Sequence, residues 1–205
     1  MIDLYYWGTP NGLKITIALE EMDLDYQIFP INILEDDQFQ PDFLRISPNN
    51  KIPAIVDQDG PQHQPISIFE SGAILQYLGR KTGKFYPEHE QARVEVEQWL
   101  MWQMAGFGPM LGQNHHFSRF APERIKYATD RYVNETKRLY AVLNQQLIGQ
   151  AYVAGEYSIA DMAIFPWVDR YEWQQIDLND YPHVKAYRDR IAARPAVRKA
   201  MAIAI

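Results

Sequence analysis

The first 81 residues alternate between short runs of β-prone apolar side chains and stretches with helical spacing. The predicted strands cover 2–6, 26–33, 54–57 and 66–69, and the predicted helices run from 11 or 12 to 22 and over 71–81. The turn sequence Asp59-Gly60-Pro61 separates the last two strands. The pattern therefore predicts a βαβ unit followed by a ββα unit.

The rest of the chain shows only helical patterns. Apolar or small side chains at 132, 136, 139, 143 and 147 share one helix face, and Pro182 and Pro195 separate the last helices. Ser158-Ile-Ala-Asp161 is a capping-box sequence that opens the apolar run over 162–168. We predict an α/β domain over 1–84 and an all-helical domain over 88–205, with a linker around 85–88.

The net charge differs between the two predicted halves of the chain. The 205 residues carry 20 basic and 26 acidic side chains, a net charge of −6. Residues 1–87 hold 6 of the basic and 12 of the acidic groups, whereas 88–205 hold 14 of each. An acidic chain of this kind lacks the basic footprint of a nucleic-acid-binding protein, so we predict no nucleic-acid partner.

The sequence contains no cysteine, which excludes disulfides, thiolate metal sites and a cysteine nucleophile. This composition fits a reducing compartment, and we expect a cytoplasmic protein. Residues 98–118 form the longest stretch without Asp, Glu, Lys or Arg, but Gly and Pro interrupt it, so no membrane span is predicted. His115 and His116 are adjacent and have no partner at metal-ligand spacing, so we predict no metal site.

Five short motifs occur in an order that is informative as a set. They are Thr9-Pro-Asn-Gly12, Ser47-Pro-Asn-Asn-Lys-Ile-Pro-Ala54, Glu70-Ser71, the run 108–117 and Ser158-Ile-Ala-Asp161. Together with the βαβ-ββα order and the helical second half, they resemble the glutathione transferase superfamily over essentially the whole chain. The first and fourth motifs are similar to those of its bacterial Nu class of glutathione-dependent disulfide oxidoreductases. The resemblance implies a thioredoxin-like glutathione-binding domain, and a helical domain with a second-substrate pocket and dimer contacts.

Thr9 and Asn11 are the catalytic residues that this resemblance implies. They stand between the first strand and the first helix, and a helix N-terminus stabilises a thiolate through its free N–H groups and dipole. The same residue types also favour an ordinary N-cap and turn, so the sequence leaves both interpretations open.

Other residues match glutathione contacts in the resembling family. The implied contacts are Asn11, Gln38, Lys51, Ile52, Pro53, Glu70, Ser71 and, from the partner subunit, Arg131. The Ile52–Pro53 bond is expected to be cis, and the backbone of Ile52 to pair with a cysteinyl peptide. Ser71 at a helix start suits a carboxylate, and Glu70 suits an ammonium group.

Tyr6, His115 and His116 are the candidates for contact with a second substrate. Tyr5 and Tyr6 are neighbours in a strand and face opposite ways, so at most one of them points at the site, and strand packing explains both. The alternative for each histidine is a structural role in which its ring nitrogens are hydrogen-bonded within the protein.

The function implied is the reduction of small disulfides by glutathione, a co-substrate whose thiols replace the missing protein cysteine. The alternatives are a glutathione transferase or hydroperoxide peroxidase that uses the same thiolate, and a non-enzymatic binding module on the same fold. The expected partners are glutathione, small disulfides or electrophiles, and a second copy of the chain in a homodimer.

Overall fold

The computed structural model describes residues 1–203, and the contacts within the chain divide it into two units. One unit comprises Met1–Lys84 and the C-terminal segment from Arg194, and the other comprises Phe85–Ala193. The contacts thus group the last helix with the first unit, whereas the sequence analysis places it in a domain over 88–205.

The first unit is built on a four-stranded sheet. Its strands are β1 (Ile2–Tyr6), β2 (Tyr26–Pro30), β3 (Ala54–Asp57) and β4 (Ile66–Phe69), in the order β2-β1-β3-β4. β1 is parallel to β2 and antiparallel to β3, which is antiparallel to β4. The predicted βαβ-ββα order is confirmed.

β2 is shorter than the predicted strand over 26–33. It pairs with β1 from Ile2↔Tyr26 to Tyr6↔Pro30, and the Ile31 N–H donates to the Tyr6 carbonyl at 2.9 Å. Because β1 ends at Tyr6, the residues beyond Ile31 have no strand partner, although Ile33 is a β-prone residue.

Four helices belong to this unit: α1 (Pro10–Met22), α2 (Pro41–Leu44), α3 (Ser71–Thr82) and α9 (Pro195–Met201). α1 packs against α3 and α9. The Arg194 guanidinium pairs with Glu21 at 2.5 and 2.8 Å, and Lys199 pairs with Glu20 at 2.7 Å. These ion pairs and the buried Val197 attach α9 to α1. This attachment explains why the contacts group α9 with the first unit and not with the rest of the predicted domain over 88–205.

The second unit contains five helices: α4 (Glu90–Trp102), α5 (Gly108–His115), α6 (Lys126–Gln146), α7 (Ile159–Val168) and α8 (Pro182–Ala192). All ten residues of α7 are buried, and α4, α5 and α8 pack against it. The predicted capping box is present: the Ser158 hydroxyl accepts from the Ala160 N–H at 3.3 Å, and the Asp161 carboxylate accepts from the Ser158 N–H at 2.9 Å. It satisfies backbone groups that are buried with the start of α7.

Two π-helical turns adjoin α5. They cover Gln103–Phe107 and His116–Phe120, while short 3₁₀ turns cover Asp37–Phe39, Pro61–His63, Tyr171–Gln174 and Leu178–Asp180. Pro109 has no N–H to donate to the carbonyl of Ala105, and the wider π turn accommodates this gap. None of the helices within residues 1–203 has the length and apolar character that crossing a membrane requires.

Candidate functional site

A cleft of about 160 Å³ in the first unit gathers the start of α1, the loop before β3 and the start of α3. Its lining residues are Asn11, Ser47, Lys51, Ile52, Pro53, Phe69, Glu70 and Ser71. Six of these are predicted glutathione contacts. The other two, Ser47 and Phe69, were not predicted individually from the sequence, although Ser47 begins the second motif.

The entrance of α1 is fixed by a cap and by a close approach of backbones. The Gly12 N–H donates to the Thr9 hydroxyl oxygen at 3.2 Å, so Thr9 is the N-cap, and Pro10 occupies the first helical position. A Cβ on Gly12 would lie 2.3 Å from the Trp7 carbonyl oxygen and 2.8 Å from the Tyr6 ring. Glycine therefore lets the helix start close to the end of β1, and it brings Asn11 to the cleft.

The loop before β3 presents backbone to the cleft. The Ser47 hydroxyl donates to the Lys51 carbonyl at 2.8 Å and ties the two ends of the loop together. The Ile52–Pro53 peptide bond is cis, as expected. β3 begins only at Ala54, so the backbone groups of Ile52 lie outside the registered β3 ladder, and the exposed ammonium group of Lys51 stands beside them.

The Glu70-Ser71 pair forms the opposite wall. Glu70 has φ 68° and ψ 112°, a conformation that non-glycine residues rarely adopt and that costs about 1–3 kcal/mol. This backbone turn leaves the Glu70 side chain exposed and directs Ser71 into the first turn of α3. A carboxylate thus stands next to the positive end of a twelve-residue helix, an arrangement that suits a ligand carrying both an ammonium and a carboxylate group.

Lys14 lies behind this wall and is buried, with 2% of its surface exposed. Its ammonium nitrogen is 3.4 Å from the Ser71 hydroxyl oxygen. Burial lowers the pKa of Lys14 to about 7, although the negative charge of Glu70 opposes this change. Lys14 is not among the residues predicted from the sequence, yet a signal was present, because Lys14 shares a helix face with Ile17 and Ala18 and both are core residues.

Gln38 and Thr9 belong to the same unit but are not among the residues that line the cleft. Gln38 lies in the 3₁₀ turn Asp37–Phe39, and its side-chain amide donates to Asp36 at 3.4 Å. The Thr9 hydroxyl oxygen accepts a hydrogen bond from the Gly12 N–H. Thr9 precedes Asn11, which lines the cleft, by two residues. The capping interpretation of Thr9 is therefore confirmed, and a further action on sulfur stays a prediction.

Tyr6 is placed differently from the expectation that it contacts a second substrate. Its side chain is fully buried, at 0% exposed, below the start of α1. Tyr5 faces the other side of the sheet, where it stacks on Phe29 with ring centroids 5.2 Å apart, and burial raises the pKa of its hydroxyl. The alternation of side chains along β1 therefore makes Tyr6 a core residue, and we withdraw it as a substrate contact.

The remaining candidates lie in the second unit. Arg131 is exposed on α6, where it lines a groove of about 600 Å³ with Tyr127 and Glu135 among others. His115 is 7% exposed and packs between Trp167 and Trp173, with ring centroids 5.6 and 5.7 Å away.

Burial and the nearby Arg170 and Arg119 lower the pKa of His115 to about 4, so this ring is neutral at pH 7. His116 is exposed. The two neighbouring histidines thus occupy opposite environments, and only His116 is open to a ligand without rearrangement.

No group of three His, Asp or Glu side chains within the described part of the chain is arranged to hold a metal ion.

Comparison with known proteins accounts for both halves of the chain. Residues 2–80 match the glutathione S-transferase N-terminal domain, and residues 103–195 match the glutathione S-transferase C-terminal domain. The chain belongs to the glutathione S-transferase family. The predicted superfamily and the thioredoxin-like domain with a helical domain after it are confirmed.

Relatives within this family refine the likeness. The disulfide-bond oxidoreductase YfcG of Escherichia coli strain K12 is 54% identical over an alignment of 205 positions that covers 98% of this chain and 94% of YfcG. A glutathione transferase family member from Pseudomonas fluorescens pf-5, solved with two glutathione bound, has a TM-score of 0.94 and 45% identity, and covers 99% of this chain and 93% of its own.

A glutathione transferase from Pseudomonas putida, solved with one glutathione disulfide per subunit, has a TM-score of 0.93 and 44% identity, with 98% and 91% covered.

Proposed function

We propose that this protein is an enzyme that reduces small disulfides at the expense of glutathione. The observation that carries the proposal is a cleft that combines two helix N-termini, a cis-proline loop and side chains of both charges, Lys51 and Glu70, in a chain without any cysteine. The sulfur chemistry must then use thiols from the substrates. The 54% identity to a disulfide-bond oxidoreductase, over nearly the whole of both chains, supports this reaction class.

Each polar group of the tripeptide has a proposed partner in the cleft. Glu70 suits the γ-glutamyl ammonium, Ser71 and the start of α3 suit its carboxylate, and Lys51 suits the glycyl carboxylate. The backbone of Ile52 suits the cysteinyl peptide, as an edge strand suits an added strand. We also retain Asn11, Pro53 and Gln38 as proposed contacts.

The chemistry is two successive thiol–disulfide exchanges. The thiolate of one glutathione attacks a substrate disulfide, which forms a mixed disulfide and releases one substrate thiolate. A second glutathione attacks the mixed disulfide, and oxidised glutathione and the second substrate thiol leave. Two glutathione are thus oxidised for each disulfide reduced.

The protein's part in this reaction is to raise the thiolate fraction. A cysteine thiol titrates near 8.5, so only a few per cent is ionised at neutral pH, and a helix N-terminus lowers that value. We propose that Asn11 and the Thr9 hydroxyl add hydrogen bonds to the sulfur at the N-terminus of α1. The reaction consumes reduced glutathione, so we propose the cytoplasm as its location.

The test is to assay two reactions on one purified preparation. We expect glutathione-dependent reduction of bis(2-hydroxyethyl) disulfide to exceed conjugation of glutathione to 1-chloro-2,4-dinitrobenzene. Conjugation without measurable disulfide reduction would assign the transferase activity instead. Retention on a glutathione column with neither activity would indicate a binding module.

We further propose a homodimer to which Arg131 contributes a glutathione contact across the interface. Arg131 is exposed on a groove in the second unit, and α4 carries the exposed apolar side chains Val94 and Met101. Sedimentation at micromolar concentration should show a dimer. Because Arg131 is exposed, Arg131→Ala should leave the melting temperature unchanged but weaken glutathione binding roughly ten- to hundredfold, the loss of one charge-assisted hydrogen bond. An active monomer would contradict both statements.

A further inference from the structure

Lys14 occupies a position that helix packing alone does not explain. Among the lysines and arginines of residues 1–203, it is the one whose side chain is buried, and its neighbours Leu13 and Ile15 are core residues. Withdrawing an ammonium group from water is unfavourable unless a polar partner compensates it. An apolar side chain would fill the same space at a lower energetic cost, so the charge requires an explanation.

The charge lies directly behind the proposed ligand wall. The Lys14 ammonium nitrogen is 3.4 Å from the Ser71 hydroxyl oxygen, and the Ser71 side chain belongs to the lining of the cleft. Glu70, the other side chain at this wall, acts electrostatically on Lys14. A cation thus stands one hydrogen bond away from the cleft, on the side where α3 begins.

We propose that Lys14 is a positioning residue that acts through Ser71: its buried ammonium group orients the Ser71 hydroxyl and supplies the positive charge that holds the γ-glutamyl carboxylate of glutathione. This inference rests on the proposed function, because it deepens one subsite of the same cleft. Lys14 is itself too deeply buried to contact the ligand.

The surroundings of Lys14 make its charge responsive to such an anion. Just before α3, Glu70 acts electrostatically on the ammonium group, while Tyr77 and Lys81 of α3 are engaged with Asp57 at 2.6 and 2.7 Å. Arg194, just before α9, pairs with Glu21, and Lys199 of α9 pairs with Glu20; these glutamates lie seven and six residues further along α1 than Lys14. With a pKa near 7, Lys14 is about half charged at pH 7. A bound carboxylate favours the charged form, so ligand binding should take up as much as about half a proton at that pH.

The first experiment is a matrix of protein variants and ligands measured by isothermal titration calorimetry. The ligands are S-methylglutathione, whose sulfur carries no proton, and 4-aminobutyryl-S-methylcysteinylglycine, which lacks only the γ-glutamyl carboxylate. Removal of this carboxylate should weaken binding to the wild type about tenfold or more. For Lys14→Met the two ligands should bind almost equally, and Lys14→Gln, which keeps a donor without the charge, should lie between.

The second experiment measures proton uptake by the wild type, which does not depend on how well any variant folds. Binding of S-methylglutathione at pH 7 in two buffers of different ionisation enthalpy should show uptake, and the ligand without the carboxylate should show none. A merely structural lysine would not produce this difference. Binding without proton uptake, or an equal carboxylate effect in the wild type and Lys14→Met, would overturn the role of Lys14 alone. No binding of S-methylglutathione to the wild type would overturn the proposed glutathione site as well.

Discussion

Replacing Thr9 by alanine separates the two roles of this residue at the start of α1. The hydroxyl oxygen accepts one hydrogen bond, from the Gly12 N–H at 3.2 Å in a half-buried environment. Loss of such a cap costs about 1 kcal/mol, which corresponds to a fall of about 2–4 °C in melting temperature for a chain of this size. A protein stabilised by roughly 5–15 kcal/mol stays almost entirely folded at 25 °C after that loss. The cap by itself therefore predicts no change in turnover.

The proposed action on sulfur predicts a much larger effect on catalysis. A hydrogen bond from the Thr9 hydroxyl to a thiolate is worth about 1.5–3 kcal/mol, so kcat/KM of Thr9→Ala should fall roughly ten- to hundredfold. The assay is glutathione-dependent reduction of bis(2-hydroxyethyl) disulfide. Its rate is measured as the consumption of NADPH by a coupling enzyme that reduces the oxidised glutathione. Thr9→Ser keeps both the acceptor and the hydroxyl hydrogen and should retain most of the activity.

Thr82 provides a matched control in the same unit. Its hydroxyl oxygen accepts from the Lys84 N–H at 3.2 Å at the end of α3, and its residue is also half-buried. Thr82→Ala removes the same atoms and a similar bond from a backbone N–H, together with the bond that the Thr82 hydroxyl donates to the Leu78 carbonyl at 2.8 Å, but Thr82 lies at the opposite end of α3 from the residues that line the cleft. If Thr9→Ala and Thr82→Ala both lose a few degrees of melting temperature and both keep full turnover, Thr9 is a helix cap and nothing more.

Three further predictions concern the two buried ionisable groups and the strained residue. Glu70→Gly should melt at no lower temperature than the wild type, because glycine adopts φ 68° freely, yet calorimetry should show glutathione binding at least about tenfold weaker. Burial holds the pKa of Lys14 near 7, below its value in the unfolded chain, so the free energy of unfolding of the wild type rises from pH 7 towards pH 10. Urea unfolding should show Lys14→Met to be more stable than the wild type at pH 7, by a margin that shrinks as the pH increases. Burial raises the pKa of Asp161 to about 6 from 3.8, so ionisation between these values destabilises the native wild type by about 3 kcal/mol. Asp161→Asn keeps only one of the two oxygens that accept from the Val153 and Ser158 N–H groups, so it should be less stable; because ionisation penalises only the wild type, the deficit in urea should be larger at pH 4.5 than at pH 7.

Local features of the fold were accessible from the sequence because neighbouring residues determine them. Alternating and helical patterns located the four strands and the helices α1 and α3 of the first unit, and turn residues marked the boundary between β3 and β4. The capping box at Ser158 depends on a spacing of three residues within one turn, so its pattern was sufficient. The motif residues at Ser47–Pro53 and Glu70-Ser71 also identified most of the cleft lining, through their resemblance to a family.

The tertiary structure decided what distant segments do to one another. β2 ends at Pro30 because its partner strand ends at Tyr6, and the C-terminal helix joins the first unit because Arg194 meets Glu21 across 173 residues. Tyr6 became a core residue where the start of α1 packs over its ring, and Lys14 became a buried cation behind Ser71 where α1 packs against α3. The sequence by itself determined the elements and the residue types available for chemistry. Burial and charge at each position arise from contacts between segments far apart in the chain, which a periodic pattern within one segment does not contain.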